Sequence, residues 1–160
     1  CGLCGAESLE QLRQDLPVAT ATFTLSHGAV NMAARNLTQH QPLQALSGAV
    51  HGAAWCDTRG YIVKVCEDVG RHNALDKLIG SLYSGGAFAA PGFLLMTSRA
   101  SYEILAKAAQ SGIAVVVAVS APTSLAIDVA AAAGITLVGF SRDDRHVVYT
   151  NGQRLSDTIG

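Results

Sequence analysis

Charge is scarce in this sequence. Only 14% of its 160 residues are Asp, Glu, Lys or Arg, and the formal net charge is −1 at pH 7. The chain therefore has no strong positive field that would attract nucleic acid or an anionic membrane. We expect no nucleic-acid partner, and any anion site must be built locally from a few side chains.

Long apolar runs are also missing. No stretch approaches the ~20 apolar residues that a membrane-spanning helix needs, and no signal peptide is visible. We therefore expect a cytoplasmic protein without membrane association. Hydrophobic residues nevertheless make up 49% of the chain, without internal repeats or low-complexity linkers. This composition suits one compact α/β domain covering residues 1–160.

Cysteine is sparse, and four residues are too few for a disulfide scaffold. Cys56 and Cys66 lie in or beside apolar stretches and are predicted to be buried thiols. Cys1 and Cys4 instead form a Cys-x-x-Cys pair in a glycine-containing loop, residues 1–5. Because the chain starts at a cysteine and not at methionine, we expect a processed, cut or truncated product.

The Cys1/Cys4 pair allows three kinds of chemistry. A redox dithiol usually lies in a thioredoxin-like βαβ unit, which this sequence does not show. A zinc half-site needs two more ligands, which His51, Cys56 or Cys66 could supply only if the fold gathers them. A persulfide-bearing nucleophile needs one accessible thiolate and a second cysteine that resolves or relays the sulfur. The residues alone leave these roles open.

Helices and strands alternate along the chain. Residues 6–42 are predicted to be helical, with one helix ending at Leu16 and a second over residues 26–40. The α/β core, residues 47–150, should contain a hairpin turn at residues 57–60 and helices beginning at Asn73, at Ser101 and at Thr123 or Ser124. Strands are predicted at residues 61–66, 93–96, 114–119, 135–140 and 146–149, followed by a polar tail.

Such alternation predicts a mostly parallel sheet covered on both faces. Right-handed crossovers place the strand-to-helix turns on one edge, where ligands of such sheets bind. Arginine occurs in three of four such turns and hydroxyl groups in three. Phosphates and carboxylates need these groups, so we predict an anionic ligand, a nucleotide or a phosphorylated cofactor. The candidate residues in the first two turns are Gly70, Arg71, His72, Asn73, Ser98, Arg99 and Ser101.

The most charged stretch, residues 67–77, lies at the first of these turns. Asn73 is predicted to cap the following helix, and Asp76 to lie in its first turn. Arg71 and His72 should stand just before the helix, where free N–H groups bind anions. We expect His72 to stay neutral and either to move a proton or to hydrogen-bond to Asp76 or Asp68.

Several motifs together resemble the FdhD/NarQ family across essentially all 160 residues. Residues 67–77 are nearly verbatim its central signature, and residues 1–5 are similar to its cysteine motif. Residues 98–103, 119–124 and 139–142 also agree with it. The resemblance implies a cytidine-deaminase-like, three-layer α/β/α fold with a mostly parallel central sheet, and a homodimer. Family members carry an N-terminal region before the cysteines that this sequence lacks.

The resemblance also implies a sulfurtransferase. It would accept persulfide sulfur from a cysteine desulfurase and pass it to the bis(molybdopterin guanine dinucleotide) molybdenum cofactor of formate dehydrogenase. Cys1 would bear the persulfide and Cys4 would assist. No metal of its own is expected, and GDP-like nucleotides would mimic the bound substrate. The guanine dinucleotide would be held by Phe140, Ser141, Arg142, Asp143, Asp144 and Arg145.

One turn departs from the pattern that the resemblance implies. Asp143 and Asp144 replace a turn that often contains glycine in the family, and they bring carboxylates near an expected anion.

A deaminase-like fold raises the alternative of a zinc-dependent hydrolase, which needs His-x-Glu and Pro-Cys-x-x-Cys. His51 is followed by Gly52 and Ala53, so the glutamate is missing. A third alternative is a non-catalytic chaperone that only shelters the cofactor.

Overall fold

The structure is a computed structural model that describes residues 16–86, 90–142 and 144–157. Cys1, Cys4, Asp143 and the helix predicted before Leu16 lie outside these residues. The described part contains five α-helices and eight β-strands. The helices are α1 (His27–Asn36), α2 (Pro42–Ser47), α3 (Arg71–Gly85), α4 (Tyr102–Gln110) and α5 (Ser124–Ala132). The strands are β1 (Leu25–Ser26), β2 (His51–Asp57), β3 (Ile62–Asp68), β4 (Gly92–Met96), β5 (Val115–Ala118), β6 (Thr136–Arg142), β7 (Arg145–Thr150) and β8 (Leu155–Ser156).

Six strands form the central sheet, in the order β3-β2-β4-β5-β6-β7. β4, β5 and β6 are joined by parallel pairing, and β7 lies antiparallel to β6. β2 runs antiparallel to both β3 and β4, so β3 points in the same direction as β4. The sheet is therefore mixed, and four of its six strands run in one direction.

Helices cover both faces of this sheet and make three layers. Successive residues of β4 alternate between the two faces, because side chains along a strand point in opposite directions. Leu94 and Met96 pack with α3, α4 and α5, whereas Phe93 and Leu95 pack with α1 and β1. The predicted three-layer α/β/α architecture is confirmed. Among the described helices, none has the length and apolarity needed to cross a bilayer.

Most predicted helix boundaries agree with the structure. The hydroxyl oxygen of Ser26 accepts a hydrogen bond from the Ala29 N–H at the start of α1, and Thr123 does the same for Ala126 in α5. α1 continues as a 3₁₀ turn over Leu37–His40, where the predicted helix ends. Gly86 closes α3 in the left-handed conformation.

The start of α3 differs from the prediction. The N-cap is Gly70, so Arg71 and His72 are the first two residues of the helix and Asn73 lies inside it. Asp68 is the reason, because its Oδ1 accepts the Gly70 N–H at 2.9 Å and the Asn73 Nδ2 at 3.2 Å. Asn73 is therefore used in the preceding turn and does not cap the helix. Asp76 falls beyond the first turn and pairs with Lys107 of α4.

The segment after β7 was predicted to be a polar tail, and this prediction is wrong. Gly152–Arg154 forms a 3₁₀ turn, and β8 pairs in parallel with β1. The guanidinium of Arg154 is buried and donates to the carbonyl oxygens of Ala19, Ala21 and Gly134. Arg154 therefore links the 3₁₀ turn at residues 152–154 to residues 19–21 by hydrogen bonds.

Candidate functional site

The carboxyl ends of β3, β4, β5 and β6 lie along one edge of the sheet, because these four strands run in one direction. We call this edge the rim and define it as residues 69–71, 97–101, 119–123 and 140–142. Its four turns come from separate parts of the sequence, and three of them contain predicted candidate residues. The structure therefore confirms that the four turns share one edge. From β3 to β6 there are four strand spacings, which makes the rim about 19 Å long.

Backbone hydrogen bonds tie the last three turns of the rim together. The Thr123 N–H donates to the Ala100 carbonyl oxygen at 3.0 Å, and the Phe140 N–H donates to the Ser120 carbonyl oxygen at 3.3 Å. Arg142 Nε also donates to the Val119 carbonyl oxygen at 3.2 Å. The side chains of this part of the rim therefore stand on a fixed backbone.

Phe140 is the most unusual residue of the rim. Its φ is 53°, in the left-handed region that a bulky side chain rarely adopts, and 49% of the residue is exposed. It lies where the register between β6 and β7 shifts. A strained backbone that presents an aromatic ring to solvent is a feature of binding sites, where the surrounding structure holds the strain in place.

The outer cavity, of about 710 Å³, opens beside Phe140. It is bordered by Arg142, Arg145 and Asp144. The carboxylate of Asp144 forms an ion pair with Arg35 of α1. The predicted conflict between this acid and an anionic ligand is therefore reduced, because Arg35 neutralises the charge. Asp143 lies outside the described residues.

A histidine pair borders the same cavity. The stacked rings of His27 and His146 bring Nδ1 of His27 within 2.7 Å of Nε2 of His146. Asn31 Nδ2 donates to the Asp144 carbonyl oxygen, so its Oδ1 faces Nδ1 of His146 at 2.7 Å. Nδ1 of His146 must therefore carry a proton, and Nε2 accepts from His27. Burial, followed by repulsion from His27, lowers the pKa of His146, which favours this neutral form.

The other predicted residues lie outside the outer cavity, either on the α3 and α4 side of the sheet or in the turn after β4. Arg71, His72 and Ser101 belong to the α3 and α4 side, whereas the outer cavity lies against α1. Ser98 is buried, and its hydroxyl donates to the Arg99 carbonyl oxygen. Arg99 is exposed. The candidate residues thus form two clusters along one rim and not a single pocket.

Glu103, which sequence reasoning missed, is the carboxylate that faces His72. His72 Nε2 lies 3.9 Å from Glu103 Oε2. Burial and the neighbouring Arg71 lower the pKa of His72, and Glu103 opposes them. Asp68 and Asp76, the partners expected for His72, are instead hydrogen-bonded to Lys77 and Lys107. The acidic residue directly after Tyr102 was visible in the sequence, but only the packing of α4 beside α3 brings it to His72.

The described residues hold no group of three His, Cys, Asp or Glu side chains that could bind a metal ion. Cys56 is buried with the α1 side of the core, and Cys66 packs against the opposite side. Burial, with a smaller effect of Asp57, raises the pKa of the Cys56 thiol far above its usual range. The fold therefore does not gather these two cysteines as zinc ligands.

Comparison with known proteins decides the family. The sequence model of the FdhD/NarQ family matches residues 1–156. The chain belongs to the FdhD/NarQ family. "Sulfur carrier protein FdhD" of Xanthomonas euvesicatoria pv. vesicatoria (strain 85-10) is 50% identical over 155 residues, which cover 97% of this chain and 55% of that protein. The protein of the same name from Burkholderia cenocepacia is 49% identical over 152 residues, or 93% of this chain and 55% of its own length.

A solved structure shares the fold of this chain. A protein from Desulfotalea psychrophila, described as a putative formate dehydrogenase accessory protein, superimposes with a TM-score of 0.80 at 29% identity. The match covers 92% of this chain and 62% of that one. The chain spans about 55% of the length of the curated FdhD relatives named above.

The charged stretch at residues 67–77 has a clear structural role in this chain. Asp68, its second residue, accepts hydrogen bonds from Lys77, Gly70 and Asn73. The pKa of Asp68 is lowered to about 2, chiefly because its carboxylate accepts a hydrogen bond from Lys77 and, to a smaller extent, because it accepts one from the Gly70 N–H. Glu67 caps α2, accepting the N–H groups of Leu43 and Gln44 at 2.9 Å each. Asp68 and Glu67 therefore fix the start of α3 and the start of α2, respectively.

Proposed function

We propose that this chain is the cofactor-binding part of a sulfur carrier that supplies sulfur to the molybdenum cofactor of formate dehydrogenase. The names of its relatives, sulfur carrier protein and formate dehydrogenase accessory protein, support this role. The donor would be a cysteine desulfurase. The recipient would be bis(molybdopterin guanine dinucleotide) molybdenum cofactor, bound as a substrate before its insertion into formate dehydrogenase. We further propose that the chain acts as a cytoplasmic homodimer.

The sulfur would be carried by Cys1, and Cys4 would release it. The Cys1 thiolate attacks the outer sulfur of the desulfurase persulfide, a new S–S bond forms, and the desulfurase cysteine leaves as a thiolate. Attack of the Cys4 thiolate on Cys1 Sγ then forms a Cys1–Cys4 disulfide and releases the outer sulfur as hydrosulfide. The two electrons that the sulfur gains come from the two cysteine sulfurs as they form this disulfide, which a cellular thiol reduces afterwards.

The outer cavity carries the binding part of the proposal. Phe140 offers an exposed aromatic face on which a guanine ring can stack, and Arg142 and Arg145 offer guanidinium groups to phosphates. The strained backbone of Phe140 is the single observation that supports it most, since such strain persists only where the surroundings enforce it. A rim of about 19 Å is also long enough for an extended dinucleotide.

We also propose a supporting role for the signature turn. Arg71 lies at the positive end of α3, where it and the free N–H groups would attract a distal phosphate. His72, kept neutral at pH 7 by burial and Arg71, would accept or donate a proton.

A GDP titration tests the binding site. Arg142→Ala and Arg145→Ala should each weaken GDP binding by about tenfold or more, because a charge-assisted hydrogen bond to phosphate is lost. Arg59→Ala is the matched control, since Arg59 is an exposed arginine in the hairpin turn at the opposite edge of the sheet. Equal GDP affinity in all three variants would contradict the site.

Persulfide chemistry tests the carrier role separately. After incubation with a cysteine desulfurase and cysteine, mass spectrometry should detect one added sulfur on the wild-type chain and none on Cys1→Ala. Cys1→Ala should also fail to support active formate dehydrogenase. A chain that binds GDP and still matures the enzyme without Cys1 would be a chaperone and not a sulfur carrier.

A further inference from the structure

A second cavity, the inner cleft, lies on the other side of Arg142 from the outer cavity. It has a volume of about 380 Å³ and is enclosed by α1, the 3₁₀ turn that follows it, and the ends of β4, β5 and β6. Of the residues that line it, the sequence motifs pointed only to Thr97, Ser141 and Arg142 and their turns, and not to Gln41 or the 3₁₀ turn. The lining residues that matter here are Arg35, Gln41, Thr97, Ser141 and Arg142.

Two buried polar side chains of the inner cleft are left without a partner. Gln41 is only 4% exposed and Ser141 only 2% exposed. Neither the Gln41 Nε2 nor the Ser141 Oγ makes a hydrogen bond to any residue that the structure describes. Buried polar atoms are almost always hydrogen-bonded, because leaving them unpaired costs free energy. Two such atoms lining one cavity indicate a ligand that supplies the missing partners.

Thr97, the third polar residue of the cleft, is hydrogen-bonded, so the unpaired atoms do not result from poor packing of the whole cleft. Thr97 Oγ1 accepts the Gly52 N–H at 2.9 Å. Gly52 also makes room for Gln41, since a Cβ built on Gly52 would lie 2.5 Å from the Gln41 Nε2. The carboxamide of Gln41 therefore packs directly on the backbone of Gly52. Any side chain at position 52 would prevent this contact.

The charge of the cleft favours an oxyanion. The guanidinium of Arg142 donates through Nε to the Val119 carbonyl oxygen and makes no other hydrogen bond within the described part of the chain, and Arg142 lines both cavities. Arg35, the other cation of the lining, is already paired with Asp144. The unpaired groups are an amide N–H₂, a hydroxyl and a guanidinium, and all three donate hydrogen bonds.

We propose that the inner cleft is an oxyanion subsite that binds a phosphate group of the nucleotide, with Gln41, Ser141 and Arg142 as its donors. Arg142 borders both cavities, so one nucleotide can place its base on Phe140 in the outer cavity and its terminal phosphate in the inner cleft. The inference deepens the proposed function and rests on it for the identity of the nucleotide. Gln41 is then a binding residue that no sequence motif announced.

Calorimetric titration of the full chain with inorganic pyrophosphate, GDP and guanosine tests the subsite. Gln41→Glu replaces the donor by a negative charge and should weaken pyrophosphate and GDP binding by about tenfold or more, while guanosine binding stays unchanged. Gly52→Ala should weaken both by several-fold, because the new Cβ displaces the Gln41 carboxamide. Gln39→Glu is the matched control, with the same charge change at an exposed position two residues away, and should alter affinity less than about twofold.

Ser141→Ala keeps the test decisive if Gln41→Glu fails to fold, since it removes only one hydroxyl. Pyrophosphate binding that is unchanged in both Ser141→Ala and Gly52→Ala, with melting temperatures near that of the wild type, would overturn the subsite. If GDP binds the wild type and pyrophosphate does not, the inner cleft is wrong while the proposed function stands. If pyrophosphate binds and GDP does not compete with it, the subsite stands and the guanine site at Phe140 is wrong.

Discussion

Gly139→Ala tests whether the rim depends on a close contact between β6 and the turn after β5. A Cβ at this position would lie 2.8 Å from Pro122 Cδ and 3.0 Å from Tyr149 Cε2. Carbon atoms prefer separations of about 3.5–4.0 Å, so the new methyl group overlaps its neighbours by about 0.7 Å. Pro122 is a ring fixed on the backbone and cannot move aside as a flexible side chain would.

The expected cost follows from two opposing effects. Overpacking of this kind costs about 1–3 kcal/mol. Replacing glycine by alanine recovers about 0.4–1 kcal/mol, because it stiffens the unfolded chain. The middle of the two ranges gives a net destabilisation of about 1.3 kcal/mol, which lowers the melting temperature by about 3–5 °C in a chain of this size. GDP affinity should fall by several-fold as well, because Phe140 and Arg142 follow Gly139 closely and would move with it.

Gly80→Ala is the control with the opposite expected sign. Gly80 lies on the exposed side of α3, and no atom comes within 4 Å of the place that an added methyl group would occupy. Alanine there should stabilise the chain by about 0.5–1 kcal/mol through helix propensity alone. Circular dichroism melting and GDP titration of both variants give the result. A Gly139→Ala chain that melts as high as Gly80→Ala and binds GDP as the wild type does would refute the reasoning.

Three further predictions concern charge and pH. Asp68 has a pKa of about 2 in the folded chain, below its ordinary value, so its contribution to stability is complete above about pH 4 and is lost as the pH falls towards 2. In Asp68→Asn, the melting temperature should therefore depend less on pH between about pH 4 and pH 2 than it does in the wild type. The pKa of His146 is lowered in the folded chain, so this histidine takes up a proton at a higher pH in the unfolded chain than in the folded chain. The free energy of unfolding should therefore fall as the pH drops below about 6.5, and it should fall less in His146→Leu. Arg154→Met should destabilise the chain by about 3 kcal/mol, measured by urea unfolding, since it strips buried carbonyl oxygens of their donor.

The Arg35–Asp144 pair changes how the acidic turn after β6 should be understood. Both side chains are more than half exposed, so the pair itself contributes little to stability. Its effect is local, because it removes a free negative charge from the border of the outer cavity and ties the turn to α1. An acidic residue at this turn is therefore compatible with an anionic ligand at Phe140.

Local patterns in the sequence determined most of the architecture. The alternation of apolar strands and capped helices fixes the direction of β4, β5 and β6, because each helical crossover must return the chain to the same end of the sheet. Ser26, Thr123 and Gly86 act on residues within four positions of themselves, so their roles follow from sequence alone. The common edge of the four turns was predictable for the same reason.

Tertiary structure decided everything that depends on partners far apart in the chain. Gln41 and Ser141 line one cleft although they are far apart in sequence, Arg35 meets Asp144, and Arg154 reaches back to Ala19. No periodicity or spacing records such meetings, since a polar side chain at the surface of one element looks the same in sequence whether it faces water or a neighbour. The sequence alone determined which edge of the sheet forms the rim, and only the packing of α1 against β6 and β7 decided which side chains on that edge are left to bind a ligand.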